Sequence, residues 1–193
     1  MKFRSFVAFT IHPQIQQKIA RRISILVQRY PKPLIRWVEP SNYHLTLQFL
    51  ADRSSKELDE LAKSIQEKVT RINPFVISFL KLGTYPNFKK PRVVWVGIEG
   101  PHELPQINKI IEEVCCSHEI PHKKGDFSPH LTLGRINTKK AFPDLSKFVD
   151  ELSSFSFDPI EPMVISEISI FKSELRPSGP LYTILNRIPL GIE

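Results

Sequence analysis

Cysteine is nearly missing from this chain: there are two, Cys115 and Cys116, side by side in a segment with helical spacing. Two neighbouring thiols build neither a disulfide framework nor a zinc site, so both are expected as ordinary reduced side chains. Also missing is any apolar run near the ~20 residues that span a bilayer. The opening MKFRSFVAFTIHP imitates a secretory leader, yet Arg4 and Ser5 interrupt it and no small-residue cleavage site follows. It reads as a first strand, and the expectation is a cytoplasmic protein that makes no use of a membrane. No block of five or more like charges forms an arm or tail. Against those absences, 27 Lys and Arg outnumber 20 Asp and Glu, a net charge of +7 that favours an anionic partner such as nucleic acid.

Proline is in excess, 17 of 193 residues, against a usual share of about 5%. The prolines fall between apolar segments and cut the chain into many short elements. Residues 3–11 read as a strand, and Pro13 opens a helix to about Tyr30 with Ile15, Ile19, Ile23, Leu26 and Val27 as its stripe. Strands follow at Ile35–Val38 and Tyr43–Leu50, joined by the turn-forming EPSN. Ser54, with Glu57 three residues on, caps a helix to about Ile72. Further strands are expected at Phe75–Tyr85, Arg92–Ile98, His130–Ile136, Met163–Ser173 and Leu181–Pro189, with helices at His102–His118 and Asp144–Leu152. This mixed order indicates an α+β or α/β fold with antiparallel pairing. No linker interrupts it, so residues 1–193 are expected to form one domain.

One tetrapeptide occurs twice: His44-Leu45-Thr46-Leu47 and His130-Leu131-Thr132-Leu133. With six histidines and seven threonines in the chain, chance gives well under one His-x-Thr. In a strand, alternate side chains share a face. His44 and Thr46 then point one way while Leu45, Leu47 and Phe49 point into a core, and His130 and Thr132 repeat the arrangement over Leu131 and Leu133. Two such strands side by side bring two imidazoles and two hydroxyls to one cleft. Near neutral pH one imidazole can be neutral and the other protonated, as concerted base and acid catalysis requires. Threonine hydroxyls suit the non-bridging oxygens of a phosphoryl group. Neither motif contains a carboxylate, which disfavours a metal and favours phosphodiester cleavage without one. Which histidine is the acid is left open, because the motifs are nearly identical.

Paired His-x-Thr-x motifs are the mark of the 2H phosphoesterase superfamily, and the chain resembles its RNA 2′,3′-cyclic phosphodiesterases, also called 2′-5′ RNA ligases. FRSFVAFTIHP resembles their opening strand and RWVEPSNYHLTLQFL the first motif region. PRVVWVGIE is similar to a central strand, FSPHLTLGRI to the second motif, and ISIFKSELRPSGPLYTIL to the closing hairpin. The resemblance implies a two-lobed, pseudo-duplicated α+β fold with mainly antiparallel sheets around a central cleft, helices outside, and one motif in each lobe. It implies that His44 is the proton donor to the leaving 3′-oxygen and His130 the proton acceptor that activates water, giving a 2′-phosphomonoester. Thr46, Thr132 and Arg135 would hold the phosphate, and reversible 2′-5′ ligation would use the same groups. No cofactor or metal is implied; the partner is RNA with 2′,3′-cyclic phosphate ends, tRNA fragments among them, and the protein is expected as a monomer.

Arg135 needs a further step. Strict alternation puts it on the leucine face, whereas a bulge at Gly134 would return it to the phosphate. Trp95, Phe9 and Phe127 are expected as packing residues rather than base-stacking platforms, and His12, His102, His118 and His122 as structural or solvated. Arg92, Lys89 and Lys90 are candidate contacts to the RNA backbone, equally explained by a solvated loop. Rival readings are a nucleotide-binding module of the same fold without turnover, a 2H phosphodiesterase for another cyclic or 2′-5′ nucleotide, and a two-histidine metal site.

Overall fold

The computed structural model describes residues 1–121, 127–139, 142, 144–155, 160–177 and 179–191. His122 and the polar loop expected around it therefore fall largely outside the described residues. Among these residues one sheet of nine strands is flanked by five α-helices, in the order β1 (Lys2–Thr10), α1 (Pro13–Arg22), α2 (Ser24–Arg29), β2 (Ile35–Trp37), a 3-10 turn (Pro40–Asn42), β3 (His44–Ser54), α3 (Ser55–Val69), β4 (Phe75–Tyr85), β5 (Val93–Glu99), α4 (Glu103–Ser117), β6 (His130–Ile136), α5 (Leu145–Ser153), β7 (Met163–Ile165), β8 (Glu167–Arg176) and β9 (Gly179–Pro189). No helix is long and apolar enough to cross a membrane.

The strand order is β7-β4-β5-β6-β3-β1-β8-β9, with β2 beside β6 and every ladder antiparallel. The eight strands of that path divide into two sets of four that meet at β6 and β3, where the ladder consists of a single pair, Leu45 with Leu131, and β2 adds a ninth strand to the β6 side. That pair joins the second residues of the two tetrapeptides. The halves exchange strands. β4, which follows the first motif in sequence, pairs with β5, whereas β8, which follows the second, returns to pair with β1. Beneath both halves runs one apolar core that includes Val7, Phe9, Leu45, Leu58, Val94, Ile107, Leu131 and Ile170. A second, smaller cluster of Phe6, Ala8 and Phe171 lies on the other face of the sheet.

Local chemistry explains the element ends. Ser54 and Glu57 form the expected capping box, each side chain meeting the other residue's backbone N–H. The helix expected over residues 13–30 is two helices. At Ile23 the backbone leaves helical geometry, and the Ser24 hydroxyl takes the Arg21 carbonyl at 2.8 Å, a side-chain bond that competes with the helical ladder. The strand expected at Met163–Ser173 is also two, because β7 pairs with β4 in one half of the sheet and β8 with β1 in the other. Cys115 is buried and Cys116 exposed, both free, and burial pushes the Cys115 thiol up to about 12.

Candidate active site

The two motif strands are built on one plan. On β3, Ala8 pairs with Thr46 and Val7 with Gln48, so Leu47 is an extra residue in the ladder with β1. On β6, Trp95 pairs with Thr132 and Val94 with Gly134, so Leu133 is the extra residue in the ladder with β5. Each tetrapeptide thus carries a bulge at its fourth residue, and the bulge reverses the alternation beyond it. Leu133 and Gly134 are both buried and Arg135 emerges on the face of His130 and Thr132. Gly134 suits this position because Trp37 and Ile35 pack on it: an added Cβ would lie 2.9 Å from the Trp37 ring. By the same geometry Phe49 emerges on the face of His44. It was expected in the core and is instead 56% exposed, with its ring 6.2 Å from Phe6.

Antiparallel order around the Leu45–Leu131 pair sets His44 across from Thr132 and Thr46 across from His130. His44, His130, Thr46 and Thr132 therefore share one face at the junction of the halves. Neither threonine hydroxyl has a hydrogen-bond partner among the described residues. The Nδ1–H of His44 donates to the Asn42 carbonyl at 2.7 Å, and that of His130 to the Ser128 carbonyl at 2.8 Å. A carbonyl can only accept, so each Nδ1 must carry the hydrogen and each Nε2 is the nitrogen left for proton exchange. Each ring also meets a tyrosine edge to face: Tyr182 at 5.2 Å from His44 and Tyr85 at 4.8 Å from His130.

The walls differ. His44 rests on Phe6, at 4.8 Å, and near Phe171, at 6.2 Å. Burial among these rings holds its pKa below the ordinary histidine range; the Asn42 carbonyl opposes that shift, and the positive charges of Arg135 and His130 add to it. Beside His130 stand Tyr85 and Trp95, with ring centroids 5.2 Å apart. Trp95 was expected in the core. It is half-buried on the cleft face, 6.2 Å from His130, and its ring fills the space where Gly83 lacks a side chain. The Tyr182 phenol is raised by burial, and Arg135, Arg4 and Arg36 all act on it in the opposite sense. Those arginines form no ion pair among the described residues.

Other residues singled out in the sequence lie elsewhere. Phe9 is fully buried and Phe127 packs against the core. His12 accepts the Gln14 N–H at the start of α1, and His118 Nε2 lies 2.9 Å from the Ser64 hydroxyl. His102 is exposed at the start of α4. Arg92, Lys89 and Lys90 are exposed in the loop that leaves Tyr85. Among the described residues no three His, Cys, Asp or Glu side chains gather as a metal would need. Sequence reasoning missed Arg36, Arg4, Tyr85 and Tyr182. Arg36 between Ile35 and Trp37 has the alternation of a half-buried strand, but only its pairing with β6 reveals its neighbour.

The family of LigT-like phosphoesterases matches twice, over residues 10–95 and 98–182, so each match contains one tetrapeptide. The RNA 2′,3′-cyclic phosphodiesterase of Aquifex aeolicus is 33% identical over 190 residues, covering 97% of both chains. That of Archaeoglobus fulgidus is 32% identical, covering 93% of this chain and 96% of its own. The crystal structure of Escherichia coli LigT complexed with 3′-AMP superposes with a TM-score of 0.75 at 22% identity, covering 98% of this chain and 99% of that one; at that distance it is the fold that is shared. Two motifs with one bulge plan, a doubled family match and a relative of equal length agree: the chain belongs to the LigT-like phosphoesterase family.

Proposed function

We propose that the protein hydrolyses RNA 2′,3′-cyclic phosphate ends to 2′-phosphomonoesters by acid/base catalysis between His130 and His44, without a metal. The observation that carries this reading is the shared cleft face, on which both histidines have Nδ1 committed to a carbonyl. The names of the Aquifex and Archaeoglobus relatives support the substrate class.

Neutral His130 accepts the proton of a water molecule at Nε2 as the water oxygen attacks phosphorus. The P–O3′ bond breaks opposite the attack, and Nε2–H of cationic His44 gives its proton to the leaving oxygen. Water is consumed, and exchange with solvent restores both rings. Thr46, Thr132 and Arg135 hold the non-bridging oxygens while charge shifts from one apical oxygen to the other. A buried, neutral His44 is not yet an acid. The negative phosphate supplies the charge that burial and Arg135 withhold, so substrate binding brings a proton onto Nε2. A 5′-hydroxyl in place of water would leave a 2′-5′ linkage. The proposal takes residues 1–193 as one domain, because the site straddles the joint between the halves, and as a monomer, because one chain holds every group named; it takes the cytoplasm as the setting and tRNA fragments among the RNA ends.

The test is a purified sample incubated with a cyclic-phosphate oligonucleotide, with and without chelator, and phosphorus NMR of the product. A 2′-phosphate at a chelator-independent rate is expected. A 3′-phosphate overturns the leaving group, chelator sensitivity overturns the metal-free route, and binding without turnover indicates a nucleotide-binding module.

A further inference from the structure

In the ladder between β2 and β6, Arg36 stands directly opposite Arg135. Like charges in that position repel and destabilise a sheet. Nothing in the described structure relieves them, since neither has a carboxylate partner, and Arg4, which stands across from Asp52 in the ladder with β3, adds a third positive charge felt at the Tyr182 phenol. That phenol is half-buried and forms no hydrogen bond among the described residues. Its counterpart Tyr85 donates to the Ser128 hydroxyl at 2.9 Å.

Local packing sets the direction of Arg36. Ile35 and Trp37 sink into the core on either side of it, which turns Arg36 to the opposite face. The hairpin between β8 and β9 approaches it: Arg36 Nη2 lies 3.6 Å from where a Gly179 Cβ would stand, and the Asn42 amide donates to the Pro180 carbonyl at 3.0 Å. Gly179 has φ +137°, a conformation that suits glycine, and it brings the hairpin tip to within van der Waals reach of the guanidinium.

Counting charge decides what such a place takes. A cyclic phosphate carries one negative charge, which Arg135 and the motif residues already meet in the proposed reaction. Arg36 remains, and the next negative group on an RNA end is the phosphodiester that links the terminal nucleotide to its 5′ neighbour. We propose that Arg36, with the Tyr182 hydroxyl and the edge of Arg135, forms a second anion subsite for that internal phosphodiester, so that the protein selects oligonucleotide ends over mononucleotides. The inference rests on the reaction proposed above for its substrate, but not on turnover for its test.

The test measures equilibrium binding of a 2′-phosphorylated uridine mononucleotide and a 2′-phosphorylated trinucleotide by wild type, Arg36→Gln and Arg36→Lys over a series of salt concentrations. In wild type the trinucleotide should bind at least about tenfold more tightly. Arg36→Gln should remove most of that advantage, leave mononucleotide affinity within about twofold, and reduce the slope of log K against log salt by about 0.7, the share of one single-strand phosphate contact. Arg36→Lys should keep most of the slope. Arg36→Gln should not lower Tm, because it removes a like-charge pair. Equal loss for both ligands, or no loss for either, overturns the subsite. Wild-type binding in this pattern without hydrolysis of cyclic ends overturns the reaction and leaves the subsite standing.

Discussion

The strand that carries His44 and the strand that carries His130 share a plan and differ in surroundings. Both bulge at the fourth residue of the tetrapeptide, both tie Nδ1 to a carbonyl two residues back, and both press a tyrosine on the imidazole. Beyond the bulge, equivalent positions hold Phe49 in one and Arg135 in the other. The His44 side adds buried phenylalanines, and Arg135 acts on that imidazole from β6; the His130 side has Tyr85 and Trp95. The backbones are alike and the walls are not: around His44, burial and the charges of Arg135 and His130 hold the proton affinity of the imidazole down.

The largest break in the comparison is removal of either imidazole. His44→Ala and His130→Ala should each lower turnover of a cyclic-phosphate oligonucleotide by about 10²–10⁴-fold with the fold intact by circular dichroism, and near-normal turnover in either refutes the assignment. Next come the equivalent positions past the bulges. Arg135→Gln should lower kcat/KM by about 10²–10³-fold. It should also move the descending limb of the pH–rate profile to higher pH, because losing a positive neighbour raises the pKa of His44. Phe49→Ala should leave that limb where it is.

A smaller effect is on stability. Unfolding frees His44 to take a proton near ~6.5, while the native ring resists it. The unfolded chain therefore binds more protons, and stability falls as pH drops through the window below ~6.5. Between pH 7.5 and 5.5, Tm should fall more in wild type than in His44→Ala. The smallest difference concerns the tyrosines. Tyr85→Phe loses a bond to Ser128 worth at most about 1 kcal/mol, whereas Tyr182→Phe should leave Tm unchanged, as differential scanning would show.

The histidines, threonines and most elements were legible because strand periodicity and a repeated word are local signals. Strand limits for β4 and β6 and the Ser54–Glu57 cap followed from the same kind of signal. What stayed hidden depended on pairing. The bulge at Leu47 returned Phe49 to the surface, and nothing in HLTLQFL announces it; beside Arg135 only Gly134 hinted at a bulge. Trp95 in an apolar run read as core because periodicity does not tell which face of a two-sided sheet looks into a cleft. Arg36 became meaningful only when β2 was set beside β6, a neighbour about a hundred residues away.

The exchange of β4 and β8 between the halves has a consequence for biosynthesis. When the ribosome has released the first hundred residues, β1 and β3 still lack β8 and β9 on their outer side, and β5 lacks β6 and its histidine. A nascent fragment that ends before β8 has both histidines but lacks Phe171 and Tyr182, so the walls around His44 are completed only when β8 and β9 have emerged.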